Sequence, residues 1–466
     1  MAVLGFASTM ILTRVLTPKV YAMYGLLTTF STAVIMFISF GYDSSYMRFY
    51  YNHGYSQKKF MLMSLKIPAV IFLVFALIVL EPTQTFIKYI FGEKFSLLAL
   101  VVLLIYILFS FIQRFSQLTA RMEEFSGNYI SSNIMAKSGF ILFVLAFFVL
   151  IKNVSFEMVL ISFALSSIAA VLINLTVFQK VSGKVSASEK CVTNKELLSY
   201  GLPFMVNSVL VLVIPVIEKL IIRDLAGWEI LGVFTAAAIF QTVIMLVTNT
   251  LENIWNPIVY KNCEKPGVFK PIMHIFGFAT VIVLTLGLAV CILLRRWLVL
   301  LLGKDYYSVY IIAPVILYGA CINVISIVYS VGINIKKKTI HFIISPLIQG
   351  IISFTLCFFL IPSMGLIGIG ISSIASIAVS RLYRIIVGLN YYNTGVSEWK
   401  SVLLCVGGTA VSVMSLYFTS LKFDIIAFAI LILLLAVIVN KDIFSLSHIM
   451  LGLFTKKNEN NKIEEI

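Results

Sequence analysis

The chain has 466 residues, a mean hydropathy of +1.03 and 12% charged residues, about half the charged share of a soluble domain. So few charges cannot cover a water-facing surface, which excludes a soluble globular enzyme and leaves the bilayer as the solvent. The net charge of +15 fits Lys and Arg gathered in cytoplasmic loops; no basic stripe with interleaved aromatics accompanies it, so no nucleic-acid partner is expected.

In chain order, apolar runs between charged breaks predict fourteen spans: 1–16, 22–42, 60–80, 96–118, 128–151, 157–178, 199–222, 230–251, 272–294, 307–331, 340–361, 365–388, 401–420 and 424–440. They are too long, and alternate too little, for the strands of an outer-membrane barrel. The chain opens directly in apolar sequence, with no basic n-region or cleavage site, so a cleaved signal peptide is not expected. The expected fold is an all-α integral membrane protein of about 14 helices. Its parts are an N-lobe over 1–178, an inter-lobe loop over 179–198, a C-lobe over 199–388, two further helices over 389–440 and a tail over 441–466. With the N-terminus inside, the inner loops hold roughly twice as many Lys and Arg as the outer ones, which predicts both termini in the cytoplasm.

The inter-lobe loop, which includes Lys184, ends in Thr193-Asn-Lys-Glu196. This matches a capping box, in which the Thr and Glu side chains satisfy free N–H groups at a helix start. The sequence on either side repeats: Arg14, Tyr24 and Tyr50 pair with Arg223, Phe234 and Tyr260 at nearly constant separation. With six helices per copy, the two lobes would lie parallel in the membrane, a known transporter plan.

The six cysteines form no C-x-x-C pair, and the four histidines are scattered, so neither a disulfide framework, a metal site nor a cofactor is expected. Gly365-Leu-Ile-Gly-Ile-Gly370 superficially matches a phosphate loop, but it opens a helix in apolar context with no preceding strand. Close helix packing is the better reading. Pro203, Pro215, Pro257, Pro314 and Pro346 are expected to kink or start helices.

Ionisable residues inside spans cost about 2.5–3.5 kcal/mol each on insertion scales and mark cavities or ion pairs. The candidates are Arg14, Asp43 and Arg48 around the first two spans, Lys66 and Lys137 within the third and fifth, Glu218, Lys219, Arg223 and Asp224 closing the seventh, and Glu252 near the end of the eighth. Arg14, Arg48 and Arg223 lie near helix ends, where they line a cavity or snorkel to the interface. Asp43, Glu218 and Glu252 either couple an ion or neutralise a nearby cation.

Four stretches carry a likeness: Leu12-Thr-Arg-Val-Leu-Thr-Pro-Lys-Val-Tyr21 with Tyr24-Gly25, Tyr200-Gly-Leu-Pro-Phe204, Leu302-Gly-Lys-Asp-Tyr-Tyr307, and Lys336-Lys-Lys-Thr339 through Ile361-Pro-Ser-Met-Gly-Leu-Ile-Gly368. In that order the chain resembles the Wzx-type O-antigen and capsule flippases of the multidrug/oligosaccharidyl-lipid/polysaccharide exporter superfamily, although Ala22 stands where that family has glycine. The resemblance implies two six-helix lobes around a cavity and transport of an undecaprenyl-diphosphate-linked oligosaccharide across a bacterial cytoplasmic membrane. It also implies partnership with a glycan polymerase and other polysaccharide-assembly proteins. A cavity lined by Lys137, Arg14, Arg48, Lys66 and Arg223 would suit a diphosphate, which Arg grips as a fork and Lys as a point charge. A lipid II or multidrug exporter is the alternative. A membrane glycan polymerase or ligase is disfavoured, because no outer loop gathers a nucleophile and base or a carboxylate pair.

Overall fold

The computed structural model describes residues 2–51, 54–181, 192–262, 266–338, 340–392 and 399–439. The loop around Lys184 and the tail 441–466 lie outside these. Among the described residues the chain is helical and has no strand, and each of the fourteen expected spans is occupied by helix. Among the described residues, ten helices are long and apolar enough to cross a membrane. Side chains such as Leu77, Val149 and Leu150 are 73%, 77% and 78% exposed. A soluble monomer rarely exposes apolar surface on this scale, and a lipid-facing helix needs it.

One compact unit comprises Met1–Ala236 with Leu302–Tyr306. It holds α1 (Ala2–Val15), α2 (Pro18–Ser39), α3 (Tyr42–Phe49), α4 (Gln57–Val79), α5 (Thr85–Phe91), α6 (Leu97–Met122), α7 (Ser126–Ile151), α8 (Phe156–Val181) and most of α9 (Asn194–Ala237). Side-chain caps set the starts: Thr17, Ser56 and Ser96 accept from Val20, Lys59 and Ala99 N–H groups, and Pro18 fills the first turn of α2, where its missing N–H is harmless. The expected capping box is formed: Thr193 N donates to Glu196 Oε2 at 2.9 Å, and Glu196 N donates to Thr193 Oγ1 at 3.3 Å. Gly227, at φ 86°, breaks α9, so the seventh and eighth spans meet at a single residue in the left-handed region.

Two of the signature stretches, residues 12–21 and Leu302–Tyr306, touch one another within this unit. Gly303 N donates to Thr13 Oγ1, and Tyr306 OH donates to Leu16 O at 2.9 Å. A Cβ on Gly303 would overlap the Thr13 carbonyl. Tyr306, fully buried, meets Tyr21 edge-on at 5.6 Å, and burial pushes its phenol well above the usual range. Gly201 and Gly41 approach so closely that a Cβ on either would meet the other's backbone, and Ser45 Oγ donates to Leu197 O beside them. Gly232 lies against the Pro18 carbonyl. Small residues let helix backbones come together where lipid supplies no hydrophobic drive between helices.

The second unit comprises Ala237–Leu301 and Tyr307–Ile466. It holds α10 (Ile239–Asn262), α11 (Pro266–Val299), α12 (Val309–Tyr329), α13 (Val331–Ile335), α14 (His341–Met364), α15 (Leu366–Tyr391), α16 (Trp399–Tyr417) and α17 (Leu421–Val439). The centre is α12, buried along nearly its whole length and packed on α10, α11, α15 and α16. Gly365, at φ 54°, separates α14 from α15, and Gly368 sits on the Leu360 carbonyl, so the glycine-rich stretch is packing surface. Arg295 of α11 and Asp424 of α17 form an ion pair at 2.5 Å with both side chains 0% exposed.

The first compact unit thus runs on to Ala236. The reason is local: beyond Gly227 the chain packs on Pro18 through Gly232 and on Gly25 through Thr235, which keeps those turns in the first unit. Compactness and repetition are separate properties, and the parallel lobes 1–178 and 199–388 stay a proposal of the sequence. Arg14 and Arg223 each lie shortly before a helix break, with Tyr24 and Phe234 in the helix that follows.

Candidate functional site

A polar cleft of about 210 Å³ lies inside the first unit, lined by Thr32, Ser110, Gln113, Arg114, Gln117 and Asn133, with Ile35 and Met36. Three helices build it by helical spacing. On α6, Ser110, Arg114 and Gln117 recur at intervals of three or four residues and so share one face. Thr32 and Met36 do the same on α2, and Asn133 faces them from α7.

Arg114 is the charge of this cleft. Its Nη2 lies 2.5 Å and its Nε 3.2 Å from Asp43 Oδ2, and Ser44 N donates to Asp43 Oδ1 at 2.9 Å. The pair is lopsided: the Asp43 side chain is 6% exposed and that of Arg114 38%. Asp43 therefore fixes one edge of the guanidinium, and the rest opens into the cleft. A half-neutralised, oriented guanidinium flanked by two glutamines, an asparagine and hydroxyls can accept an anionic oxygen and hydrogen-bond to sugar hydroxyls.

Aromatic rings close the other end of the same faces. Tyr24 of α2 stacks on Phe140 of α7 and Phe163 of α8 at 5.6 and 5.7 Å, and Tyr106 of α6 meets Phe163 at 4.9 Å. Lys137 is exposed on α7 between cleft-lining Asn133 and stacked Phe140, one turn from each, so it shares their face.

The other sequence candidates scatter. Arg14 is exposed at the end of α1, Lys66 is exposed on α4, and Arg48 is exposed with its guanidinium 6.0 Å from the Phe49 ring. Arg223 is buried: its Nη1 donates to Tyr89 O at 2.6 Å and to Ile90 O, it pairs with Asp224 at 2.6 Å, and it lies 5.7 Å from the Trp228 ring. Those carbonyls make it a clamp between α9 and α5. Lys219 Nζ likewise donates to Gly25 O and Thr29 Oγ1, both at 2.6 Å, tying α9 to α2. Glu218 lies beside it, half-buried on α9. Glu252 is exposed on α10 in the second unit, where its field reaches Arg384. Asp43 forms its ion pair with Arg114, which is not among the candidates taken from the sequence. The overlooked signal was position: Arg114 falls inside the apolar run 96–118.

An all-helical membrane fold with a charged, amide-lined cleft within its helices has the form of a membrane transporter. Among solved structures, the lipid II flippase MurJ in an inward closed conformation matches with a TM-score of 0.67 at 14% identity, over 96% of this chain and 97% of that one. An inward-facing multidrug resistance MATE family transporter of the MOP superfamily matches with a TM-score of 0.56 at 14% identity, over 85% of this chain and 96% of that one. At such identities the likeness is one of fold. In sequence, no curated protein is similar enough to match. The family model for polysaccharide biosynthesis proteins matches residues 1–259, and the chain belongs to that family.

Proposed function

We propose that this protein is a flippase that carries an undecaprenyl-diphosphate-linked oligosaccharide across a bacterial cytoplasmic membrane by alternating access, for surface polysaccharides such as lipopolysaccharide or capsule. Both termini lie in the cytoplasm. The observation that carries this reading is Arg114, held by Asp43 on one side and open on the other to a cleft of amides and hydroxyls. Membership of the polysaccharide biosynthesis family supports it. The anionic headgroup enters the cleft, Arg114 and Lys137 meet its diphosphate, and Gln113, Gln117 and Asn133 meet sugar hydroxyls, while the polyprenyl tail stays in lipid. This avoids dragging charge and unpaired hydroxyls through hydrocarbon. No covalent step is required.

The likeness of fold to a lipid II flippase favours one second reading, transport of lipid II. Proteoliposomes holding the purified chain decide between them. A lipid-diphosphate-linked oligosaccharide with a fluorescent sugar, placed in the inner leaflet, should become accessible to an external glycosidase. Lipid II should not become accessible at a comparable rate. Equal or faster appearance of lipid II transfers the proposal to that substrate, and failure of both overturns it.

A further inference from the structure

The second unit contains two arginines that the transport reading does not use. Arg381 and Arg384 lie well inside α15, three residues apart, and both are half-buried. The guanidinium of Arg381 donates only weakly, to Ser345 Oγ at 3.3 Å and Gln349 Oε1 at 3.2 Å. That of Arg384 reaches Ser330 Oγ at 3.5 Å and lies 4.8 Å from the Phe342 ring. The buried Nε of each has no hydrogen-bond partner. Among the described residues neither has a carboxylate within the 4.0 Å of an ion pair; the nearest acidic influence is Glu252, acting on Arg384 from a distance.

This arrangement differs from every other buried or cleft arginine described. Arg114, Arg223 and Arg295 each have a carboxylate at 2.5 or 2.6 Å. Two cations on one helical turn repel each other, and leaving both without a counter-ion in a low-dielectric span is costly. The surroundings are otherwise built for polar contact. Ser345 and Ser380 hydroxyls lie 2.8 Å apart, and His341 bridges Tyr383 and Tyr391 through its two ring nitrogens at 2.7 and 3.2 Å. A place where hydroxyls, an amide and two guanidinium groups lie together with no carboxylate at pairing distance among the described residues is complementary to an oxyanion carrying more than one charge.

We infer that Arg381 and Arg384 form a second anion site, specific for a phosphate or diphosphate group and independent of the cleft in the first unit. Guanidinium forks match phosphate oxygens. The anion reaches the site as a soluble ion or as the headgroup of a lipid, and the experiment separates these. The inference stands on the missing counter-charge and does not depend on the transport reading.

The test uses the full chain, purified in neutral detergent and in nanodiscs of phosphatidylcholine with or without phosphatidylglycerol. Inorganic pyrophosphate is titrated while the thermal midpoint is read. A ligand that binds the folded state raises the midpoint by mass action. The expected result is a saturable rise for the wild type, lost in Arg381→Gln and Arg384→Gln and partly kept in Arg381→Lys and Arg384→Lys, which retain charge without the fork. The lysine variants decide the matter if a glutamine variant does not fold. A rise with phosphatidylglycerol nanodiscs but not with pyrophosphate assigns the site to a lipid headgroup; the reverse assigns it to a soluble anion. A wild type that responds to neither overturns the inference. So does a response that survives all four α15 variants, and one abolished by Arg114→Ala but untouched on α15 places the anion in the first unit and leaves the transport reading standing.

Discussion

Two arginine–aspartate pairs, one in each unit, have the same chemistry and the same 2.5 Å separation, yet opposite characters. Arg295 and Asp424 are sealed at 0% exposure, and Arg295 also donates to the Ser415 and Phe418 carbonyls at 2.7 and 2.8 Å. These three bonds tie α11 to the end of α16, to the turn after it and to α17, with the guanidinium shut away from any cavity opening. Arg114 spends one edge on Asp43 and turns the remainder to a cleft. The difference is one of access: the closed pair is a fastening between helices, and the half-open one leaves part of its guanidinium exposed to a cleft, where the proposed function places the headgroup.

The sharpest way to break the comparison is to remove one partner of the closed pair. Asp424→Ala leaves a buried cation uncompensated and should cost about 3–5 kcal/mol, a large share of a folding stability of about 5–15 kcal/mol. Inserted, protease-resistant protein should then fall to a small fraction of wild type. The double change Arg295→Met with Asp424→Leu should recover much of that level, because apolar replacement of a whole buried pair is often neutral or stabilising. Recovery is read by membrane immunoblot, and its absence would mean the pair is more than a fastening.

The half-open pair should behave differently. Arg114→Ala leaves Asp43 buried without its cation and should lower the protein level, less than Asp424→Ala does because Asp43 keeps the Ser44 N–H; per inserted molecule it is expected to lower transport by about tenfold or more, the size of a lost charge-assisted contact of roughly 1.5–3 kcal/mol. Arg114→Lys should keep part of the activity, since charge survives without the fork. Initial rates in the proteoliposome assay check both. Normal transport in Arg114→Ala would reduce the cleft to scaffolding.

The smallest effect sharpens the comparison along the cleft. Gln117→Ala removes a neutral contact and should slow transport by about two- to tenfold, in line with roughly 0.5–1.5 kcal/mol for one hydrogen bond. Lys137→Ala should fall between Gln117→Ala and Arg114→Ala, and Lys137→Arg should retain part of the rate. A Lys137→Ala rate below that of Arg114→Ala would move the main anion contact one turn along α7.

The spans were legible because hydropathy is a property of continuous sequence: all fourteen runs are occupied by helix, and Thr193 with Glu196 caps α9 as its spacing required. The short helices α3, α5 and α13 were not, because none is long enough to carry an apolar period. Arg114, Arg381 and Arg384 are absent from the sequence candidates, since charge looks like a boundary until the helix is seen to continue through it. Pairing was harder still. Asp43 and Arg114 are 71 positions apart, and nothing in their local sequence tells which helices the fold sets face to face. The signature glycines were readable as motifs, but their cause, backbone contact between distant stretches, appears only in three dimensions.

The clasp formed by Leu302–Tyr306 also bears on biosynthesis. Gly303 and Tyr306 dock onto the end of α1 through Thr13 and Leu16, yet they follow α10 and α11 in the chain. The ribosome makes α1 first and its final partner some 290 positions later. Domains commonly finish folding as they emerge, N-terminal first; this unit cannot. Its first helix lacks the Gly303 and Tyr306 contacts until two helices of the other unit have been made, so a chain stalled before Leu302 leaves the first unit without its last segment.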